Sequence, residues 1–482
     1  MKTLRVYQTH MELSPYTKGE CKSLENYLSV WSKQLNRYTT KCFYYENNTL
    51  FIPRGISTSY IMRNMDITVL PMNYVSDYSK ITSGEMLFEP KDTIQEDSIK
   101  FLCCKDQFSQ NSMYNQFALT IDTGKGKTFC TIYSIMELGL KSIIITHQDK
   151  IKKQWIDTVD KMTTVKSNRC LNITGSSAID MILNRKSSPK YDFYFVNHQT
   201  LASYARSRGW DKIKDFFEKI EVGIKVYDEA HLFFENSIMI DFFSNTKKTF
   251  YLTATFERSA YGEEILYKRS FSSVIKFGEE TTDYVENRKH VVFIVVYFKS
   301  RPRTGFVPNL RNIYGFSSYK YIDYELNEGD AKILRVLDKI IDDTKRLEGK
   351  TLIISPKKST VNIIADRISH ITDDEVGRIY SDNTPEENTI SKSKRYISST
   401  IKSIGTGTDI KNLRVMINLE PIGSSLLASQ VRGRLREYSS DKDTYLFYPV
   451  DTNVPEMVDM LHRIIPTMKK KCKEIIYMTS NV

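Results

Sequence analysis

Two short stretches carry the residue types that phosphate chemistry needs. Gly124-Lys125-Gly126-Lys127-Thr128 follows an apolar run, Phe117 to Ile121, and precedes an apolar-periodic segment through Cys130, Ile132 and Ile135. That pattern predicts a strand, a glycine loop and a helix. Backbone N–H groups of such a loop and of the helix N-terminus point at an anion. Thr123, Gly124, Lys125 and Gly126 would line the phosphates, Lys127 would reach the β- and γ-phosphates, and the Thr128 hydroxyl would bind Mg²⁺. The second stretch, Asp228-Glu229-Ala230-His231, closes another apolar run, Val222–Tyr227. There Asp228 could hold Mg²⁺ through water, and Glu229 could orient and deprotonate an attacking water. Each stretch also has a plainer reading, a helix-capping turn for the first and a solvated acidic turn for the second.

Both stretches need a scaffold that brings strand ends together. Ser142–Thr146, Phe193–Val196 and Phe250–Leu252 read as further buried strands alternating with helices. This alternation predicts a parallel sheet covered on both faces. Ligands of open sheets sit at the strands' carboxyl ends, where Thr146, His147, Thr200, Thr253 and Thr255 fall. Upstream, Gln95 precedes an amphipathic helix through Ile99 and Leu102, and its amide offers one donor and one acceptor to an adenine edge. For a single glutamine, a solvated position on the helix face is the commoner explanation. Cys103 and Cys104 are expected inside that helix.

After a polar linker at 278–290, a second α/β half begins with Val291–Phe298. Further strands are expected at Thr351–Ile354, Tyr396–Ser398, Arg414–Asn418 and Tyr445–Tyr448, with a helix over Ala331–Arg346. Gly405-Thr406-Gly407-Thr408-Asp409 could set backbone amides and Asp409 beside ribose, phosphate or a nucleic-acid backbone, or could be an ordinary turn. Gln430-Val431-Arg432-Gly433-Arg434-Leu435-Arg436 could supply arginines to a γ-phosphate, where they stabilise transition-state charge, or could be a solvated basic face. Lys469–Lys471 and Lys473 read as a solvated basic tail.

The N-terminal 82 residues look like a small separate α+β module. Leu24, Leu28, Trp31 and Leu35 recur at helical spacing and predict a helix from about Ser23 to Arg37. A hairpin is expected around Glu46-Asn47-Asn48. The whole chain has 482 residues, a formal net charge of +11 and 7 cysteines. Such a charge suits contact with a polyanion over part of the surface. The odd cysteine count without a CxxC pair argues against a disulfide framework or zinc site and for a reducing compartment. No apolar run reaches transmembrane length and the N-terminus lacks a signal-peptide pattern, so an intracellular, soluble protein with no membrane partner is expected.

In this order, the motifs resemble superfamily 2 helicases and translocases over roughly residues 87–450. Gly124–Thr128 is similar to motif I, Gln154-Trp155 to the end of motif Ia, and Asp228–His231 to motif II in its DEAH spelling. Thr253–Thr255 is similar to motif III, Thr351–Pro356 to motif IV, Gly405–Asp409 to motif V and Gln430–Arg436 to motif VI. Within the superfamily the chain looks closest to the poxvirus transcript-release helicases and their relatives in large DNA viruses, on Leu50–Gly55, Lys141–Trp155 and Ser399–Ile410.

The resemblance implies two tandem RecA-like parallel-sheet domains, 83–285 and 286–482, behind the 1–82 accessory module. It implies ATP and Mg²⁺ as ligands, DNA as the polymer, and transcription or virion proteins as partners. The setting it implies is viral transcript release or DNA-intermediate processing, in host cytoplasm or virion. On that resemblance Lys127, Asp228, Glu229, Arg434 and Arg436 are catalytic. Gln95, Thr123–Thr128, Gly407 and Asp409 bind the nucleotide, with Thr128 and Asp228 on the metal. His231, Thr253, Thr255 and Gln430 couple the nucleotide site to the polymer, and Thr146, His147, Thr200, Ser355 and Thr400 grip its backbone. Three departures stand out. Ile121 replaces a small residue in motif I, His147 stands where motif Ia usually has proline, and only Leu435 separates Arg434 from Arg436. The motifs do not separate DNA from RNA, and the shortened motif VI keeps open an ATP-binding clamp without productive turnover.

Overall fold

The apolar runs expected to be buried form the middle of two seven-stranded sheets. A computed structural model describes residues 2–32, 37–110, 115–121, 124–253, 263–278, 289–301, 309–312, 315–328, 330–380, 382–404, 410–439 and 441–481. The chain divides into two compact units, 1–285 and 286–482.

The N-terminal module of the first unit contributes β1 (Lys2–Val6), β2 (His10–Ser14), β3 (Ser29–Ser32), β4 (Arg37–Lys41), β5 (Tyr44–Glu46), β6 (Thr49–Pro53) and β7 (Ile67–Pro71). Then come β8 (Gln116–Leu119), β9 (Ser142–Thr146), β10 (Cys170–Asn172), β11 (Phe193–Asn197), β12 (Ile224–Asp228), β13 (Lys248–Leu252) and β14 (Ile275–Phe277). These last seven pair in the order β10-β11-β9-β12-β13-β8-β14, every pair parallel. A strand buried on both faces sends alternate side chains into opposite layers. Accordingly Ile143, Ile145, Tyr194, Val196, Tyr227 and Tyr251 pack in one apolar cluster, and Ile144, Phe193, Phe195, Val226 and Phe250 in the other.

The second unit repeats the plan with β15 (Val291–Phe298), β16 (Arg311–Asn312), β17 (Gly315–Phe316), β18 (Lys350–Ser355), β19 (Val376–Ile379), β20 (Tyr396–Thr400), β21 (Leu413–Asn418), β22 (Thr444–Asp451) and β23 (Glu474–Thr479). Its sheet runs β19-β20-β18-β21-β22-β15-β23, again parallel throughout. The region read as a basic tail is built into this sheet. Lys469–Lys471 end the helix Pro455–Lys471, where positive charge meets the negative end of the helix dipole, and β23 follows as an edge strand.

The module's mixed sheet has the order β5-β6-β2-β1-β7. Asn47 and Asn48 both take left-handed φ, 47° and 58°, in the β5–β6 turn, the backbone that a tight hairpin demands. The helix expected over Ser23–Arg37 stops early. It spans Lys22–Tyr27, and the chain then turns into the ribbon β3–β4. Val30, Thr39 and Thr40 favour extended backbone, and Trp31 pairs across the ribbon with Tyr38, which outweighs the helical spacing of the leucines. Leu24 and Leu28 are buried in the module core, whereas Trp31 is 48% exposed; Leu35 lies outside the described residues. The helix Thr93–Leu102 likewise ends before Cys104, whose φ is 57°.

The module is fastened to the parallel sheet's helices by aromatic packing and polar contacts. Phe51 packs on Phe242 and Phe243 with ring centroids 6.0 and 5.2 Å apart, and Trp210 stacks on Phe243 at 5.4 Å. The Arg269 guanidinium lies 4.1 Å over the Tyr27 ring. Thr9 Oγ1 donates to the Asp241 carbonyl at 3.0 Å. Asp241 is itself the hub of a buried network. Its carboxylate pairs with Lys225 Nζ at 2.5 Å and accepts from Tyr227 at 2.8 Å and Tyr251 at 2.6 Å. Gln116 Nε2 extends the network to the Tyr251 hydroxyl at 3.1 Å.

Two outcomes are expected. A Cβ on Gly55 would sit 2.3 Å from the Ser270 backbone oxygen. Gly55→Ala should therefore destabilise module docking on the order of 2 kcal/mol, seen as a lower first transition in thermal unfolding. In the second unit Glu325 is fully buried, and burial pushes its carboxyl up to about 7 while Oε2 accepts from Ile333 N–H at 3.0 Å. A carboxyl raised in the folded state costs stability as pH rises from its unfolded value through the folded one. Glu325→Gln should stabilise the protein at pH 8 by up to about 3 kcal/mol, with the gain vanishing toward pH 4 in urea titrations.

Candidate functional site

The carboxyl ends of β8, β12 and β13 meet at one edge of the first sheet, because β12 pairs with β13 and β13 with β8. Past β8 the chain reaches Gly124 and Gly126, at φ 88° and 91°, and enters the helix Lys127–Leu138. A side chain at Gly126 would also strike Gln95, whose Nε2 would lie 2.5 Å from the added Cβ. Glycine here serves both the left-handed backbone and the close approach.

Gln95 is buried and used at both ends of its amide. Nε2 donates to the Lys125 carbonyl at 3.3 Å and Oε1 accepts from Lys91 N–H at 3.1 Å. The structure thus places it as a brace under the glycine loop. Lys127 Nζ donates to the Ile121 carbonyl at 2.8 Å, across the mouth of the loop. Thr128 occupies the helix's second position, half-buried. Thr123 lies outside the described residues.

Asp228 ends β12. Its Oδ2 accepts from Trp155 Nε1 at 2.9 Å and its Oδ1 from the Glu229 N–H at 3.1 Å. Burial and then the Glu229 charge push its carboxyl up to about 6, against the pull of the Trp155 hydrogen bond and the charges of His147 and Lys127. Lys127 and Asp228 therefore act on one another electrostatically. Glu229 takes φ 49°, a left-handed conformation that costs a non-glycine residue about 1 kcal/mol or more. It is held there by Ala230 N–H on the Leu252 carbonyl at 3.0 Å and Leu232 N–H on the Glu229 carbonyl at 2.9 Å.

His231 is fully buried. Its Nδ1 lies 2.8 Å from Thr253 Oγ1 and 3.4 Å from Glu229 Oε2. A neutral imidazole nitrogen can donate to or accept from a hydroxyl. The His231 ring nitrogen thus stands between the Thr253 hydroxyl and the Glu229 carboxylate. Thr255 lies outside the described residues.

The backbone-gripping set divides. Thr146 is buried and its hydroxyl is spent inside the protein, donating to Asn197 Oδ1 at 2.8 Å, while Asn197 Nδ2 reaches Asp149 at 2.9 Å. This corrects the expectation of an outward hydroxyl, because Thr146 and Asn197 are register partners at adjacent strand ends. His147 is also buried, and burial pushes its imidazole below the usual range. Thr200 is half-exposed in the helix His198–Arg208. Beside these, His198 packs against Phe233 with ring centroids 4.1 Å apart and bonds Asn236 Nδ2 at 2.9 Å; burial holds it down to about 4. Trp155 enters the sequence reading only as the end of the motif Ia resemblance, with no role at Asp228, and Phe233 has no sequence signal beyond nearness to Asp228–His231.

In the second unit Ser355 and Thr400 are register partners at the ends of β18 and β20. Ser355 is fully buried, and Thr400 Oγ1 accepts from Ser403 N–H at 3.1 Å, capping the helix Ile401–Ile404. Gly407 and Asp409 lie outside the described residues. The helix Ser425–Arg432 carries Gln430, half-buried, and ends where Arg432 donates Nη2 to the Lys471 carbonyl at 2.6 Å. Arg432 is buried as a structural tie, which corrects its candidacy as a finger. The turn that follows buries Leu435, whose carbonyl lies 2.9 Å from His290 Nε2. It leaves Arg434 half-buried and Arg436 exposed.

Trp155→Phe removes one hydrogen bond from the ionised Asp228 and nothing of comparable volume. The Asp228 titration should move up from about 6 by about one unit, read by carboxyl ¹³C shifts in aspartate-labelled protein; an unchanged midpoint would contradict the assignment.

Known proteins share features with this chain over its site and its fold. Residues 92–258 match the family described as type III restriction enzyme, res subunit. The transcript termination protein A18 of fowlpox virus (strain NVSL) is 22% identical over 408 residues, covering 81% of this chain and 80% of that protein. Among solved structures, S. cerevisiae Dbp5 bound to RNA and ADP BeF3 aligns over 81% of this chain and 90% of its own at 13% identity, with a TM-score of 0.51. Phage T4 UvsW aligns over 99% of both chains at 14% identity, with a TM-score of 0.38. The two parallel sheets are tandem RecA-like domains, and the small mixed sheet is a module added in front of them. Residues 92–258 are thus similar to the type III restriction enzyme res-subunit family, and the chain over 81% of its length is similar to a poxvirus transcript termination protein.

Proposed function

We propose that the chain is a Mg²⁺-dependent, ATP-driven DNA translocase or helicase with three working parts, residues 1–82, 83–285 and 286–482. The observation that carries this reading is the meeting of Lys127, Asp228, Glu229, His231 and Thr253 at one sheet edge, with Lys127 and Glu229 both acting on the Asp228 charge. In this reading Gly124–Gly126 cradle phosphates, and Lys127 leaves the Ile121 carbonyl for the β- and γ-oxygens. The donor set fits a hard divalent cation. Thr128 offers a hydroxyl, and Asp228 is a buried carboxylate whose pKa is already raised, so a cation would offset the cost of its charge. Bound Mg²⁺ would neutralise charge developing on the phosphates. Glu229 takes the proton of the attacking water, beside the His231 ring nitrogen that is hydrogen-bonded to Thr253. Gln95 orders the loop and the adenine end of the site. Thr255, Gly407, Asp409 and Gln430 keep their coupling and nucleotide-binding roles, and Arg434 and Arg436 are the candidates for transition-state charge.

For the polymer, Thr200 and the strand-end loops near His147, Ser355 and Thr400 would hold a sugar-phosphate backbone without reading sequence. DNA is kept as the polymer, with DNA-intermediate processing as one setting, on the resemblance of the motifs. The similarity to a fowlpox transcript termination protein supports transcript release, beside transcription or virion proteins in host cytoplasm or virion.

Steady-state ATP turnover with Mg²⁺ should rise strongly on adding DNA and less on adding RNA. Glu229→Gln should lower turnover by about 100-fold or more, and Arg434→Ala by on the order of 1,000-fold. Activity should fall at low pH, where a proton on Asp228 competes with Mg²⁺, and raising Mg²⁺ should move that fall to lower pH. Stimulation by RNA alone would make the chain an RNA helicase, and ATP binding without turnover under every condition would make it a clamp.

A further inference from the structure

The ribbon β3–β4 has two unlike faces. Val30 and Thr40 are register partners on the inner face, where Thr40 is buried and reaches Glu263 Oε1 at 3.4 Å, and Val30 joins the first unit's apolar cluster. Trp31 and Tyr38 are register partners on the outer face. Their rings meet edge to face with centroids 4.8 Å apart, yet they stay 48% and 38% exposed. Lys41 is exposed and holds its ammonium 5.6 Å from the Tyr38 ring centroid. Arg37 is exposed beside Tyr38, and Lys22 is exposed on the preceding helix. The acid of this segment, Glu25, is turned away, with Oε1 accepting from the Tyr16 hydroxyl at 2.9 Å and from Gly19 N–H at 2.7 Å.

A cross-strand aromatic pair needs only to pack on itself to stabilise a ribbon. Here about half of Trp31 is exposed, and Lys41 stands over the Tyr38 ring, while Glu263 meets the ribbon at Thr40 on its inner face. Flat exposed rings framed by positive charge match an unpaired nucleotide, whose base has a π-face and whose phosphate is anionic. A protein partner would be expected to meet a broader apolar patch, whereas the other exposed residues among the described part of the ribbon, Arg37, Thr39 and Lys41, are polar or charged.

We infer that Trp31 and Tyr38 form a base-stacking platform for a single-stranded segment of nucleic acid, with Lys41 and Arg37 on its phosphates. This deepens the reading of the chain as a nucleic-acid motor and rests on it. It gives the accessory module a part in holding unpaired strand, independent of base sequence and sensitive to salt.

The test uses the full chain and an oligothymidylate of about 15 nucleotides, followed by anisotropy of a dye on the oligonucleotide and by tryptophan emission. Wild type should bind, with tryptophan emission quenched. Trp31→Ala should weaken binding by about 5- to 50-fold, and Lys41→Glu, which leaves the aromatic pair intact, should weaken it and flatten the salt dependence. Trp31→Phe should keep most of the affinity but lose the quenching. A blunt duplex should show little difference between wild type and Trp31→Ala. Wild-type binding unaltered by Trp31→Ala and Lys41→Glu would overturn the platform and leave the motor reading standing, as would a Trp31→Ala change confined to melting temperature. No binding by wild type, together with no DNA-stimulated ATP turnover, would overturn both.

Discussion

Asp241 sets the position of nearly everything around the catalytic edge. It lies in the helix that follows the acidic motif, yet its carboxylate is bonded to Lys225 and Tyr227 on β12 and to Tyr251 on β13. The turn Asp228–His231 is therefore pinned on both sides, by the strand before it and the helix after it. Lys225 is completely buried, and burial lowers its ammonium against the pull of Asp241. Such a pair adds little net stability against an apolar replacement, but breaking it leaves a buried charge and costs about 3–5 kcal/mol. Its contribution is specificity. The two tyrosine hydroxyls fix the relative placement of β12 and β13, and with them the distance between His231 and Thr253.

The same residue connects the added module to the first parallel sheet. Thr9 takes the Asp241 carbonyl, while the neighbouring Phe242 and Phe243 receive Phe51 and Tyr44. One helix, Phe234–Phe242, thus carries the constraint of the acidic turn on one face and the docking of the module on another. Module and acidic turn share a rigid support through these contacts.

The strands of both units were legible where they are buried on two faces, because continuous runs such as Ser142–Thr146 and Val291–Phe298 have no solvent side to blur them. Short edge strands were not. β10, β19 and β23 are partly exposed and their composition does not separate them from loops or, for β23, from a basic tail. The helix expected through Trp31 failed for a related reason. Leucine spacing alone cannot reveal that Trp31 has a cross-strand partner at Tyr38. At the site, the phosphate loop and the acidic turn could be found from residue type and spacing. The Trp155 bond to Asp228 could not, since it joins residues from different motifs that only the sheet brings together. Thr146 misled for the same reason, its hydroxyl being satisfied by a neighbour one strand away.

The electrostatics of Asp228 and the backbone of Glu229 point in one direction. A carboxylate raised to about 6 beside a residue held at φ 49° is an unfavourable arrangement twice over. Folding for stability alone would place a glycine or asparagine at the second position and an apolar residue at the first. The chain instead holds this conformation with backbone bonds to Leu252 and within the turn, and with an indole N–H on the buried carboxylate. What the arrangement gains is two carboxylates aimed from one strand end with different environments. Asp228 is enclosed and bonded by Trp155 and the Glu229 amide. Glu229 stands 3.4 Å from the His231 ring nitrogen that is hydrogen-bonded to Thr253. Groups of one chemical type set apart in this way can divide a reaction between them, one binding charge and the other moving a proton.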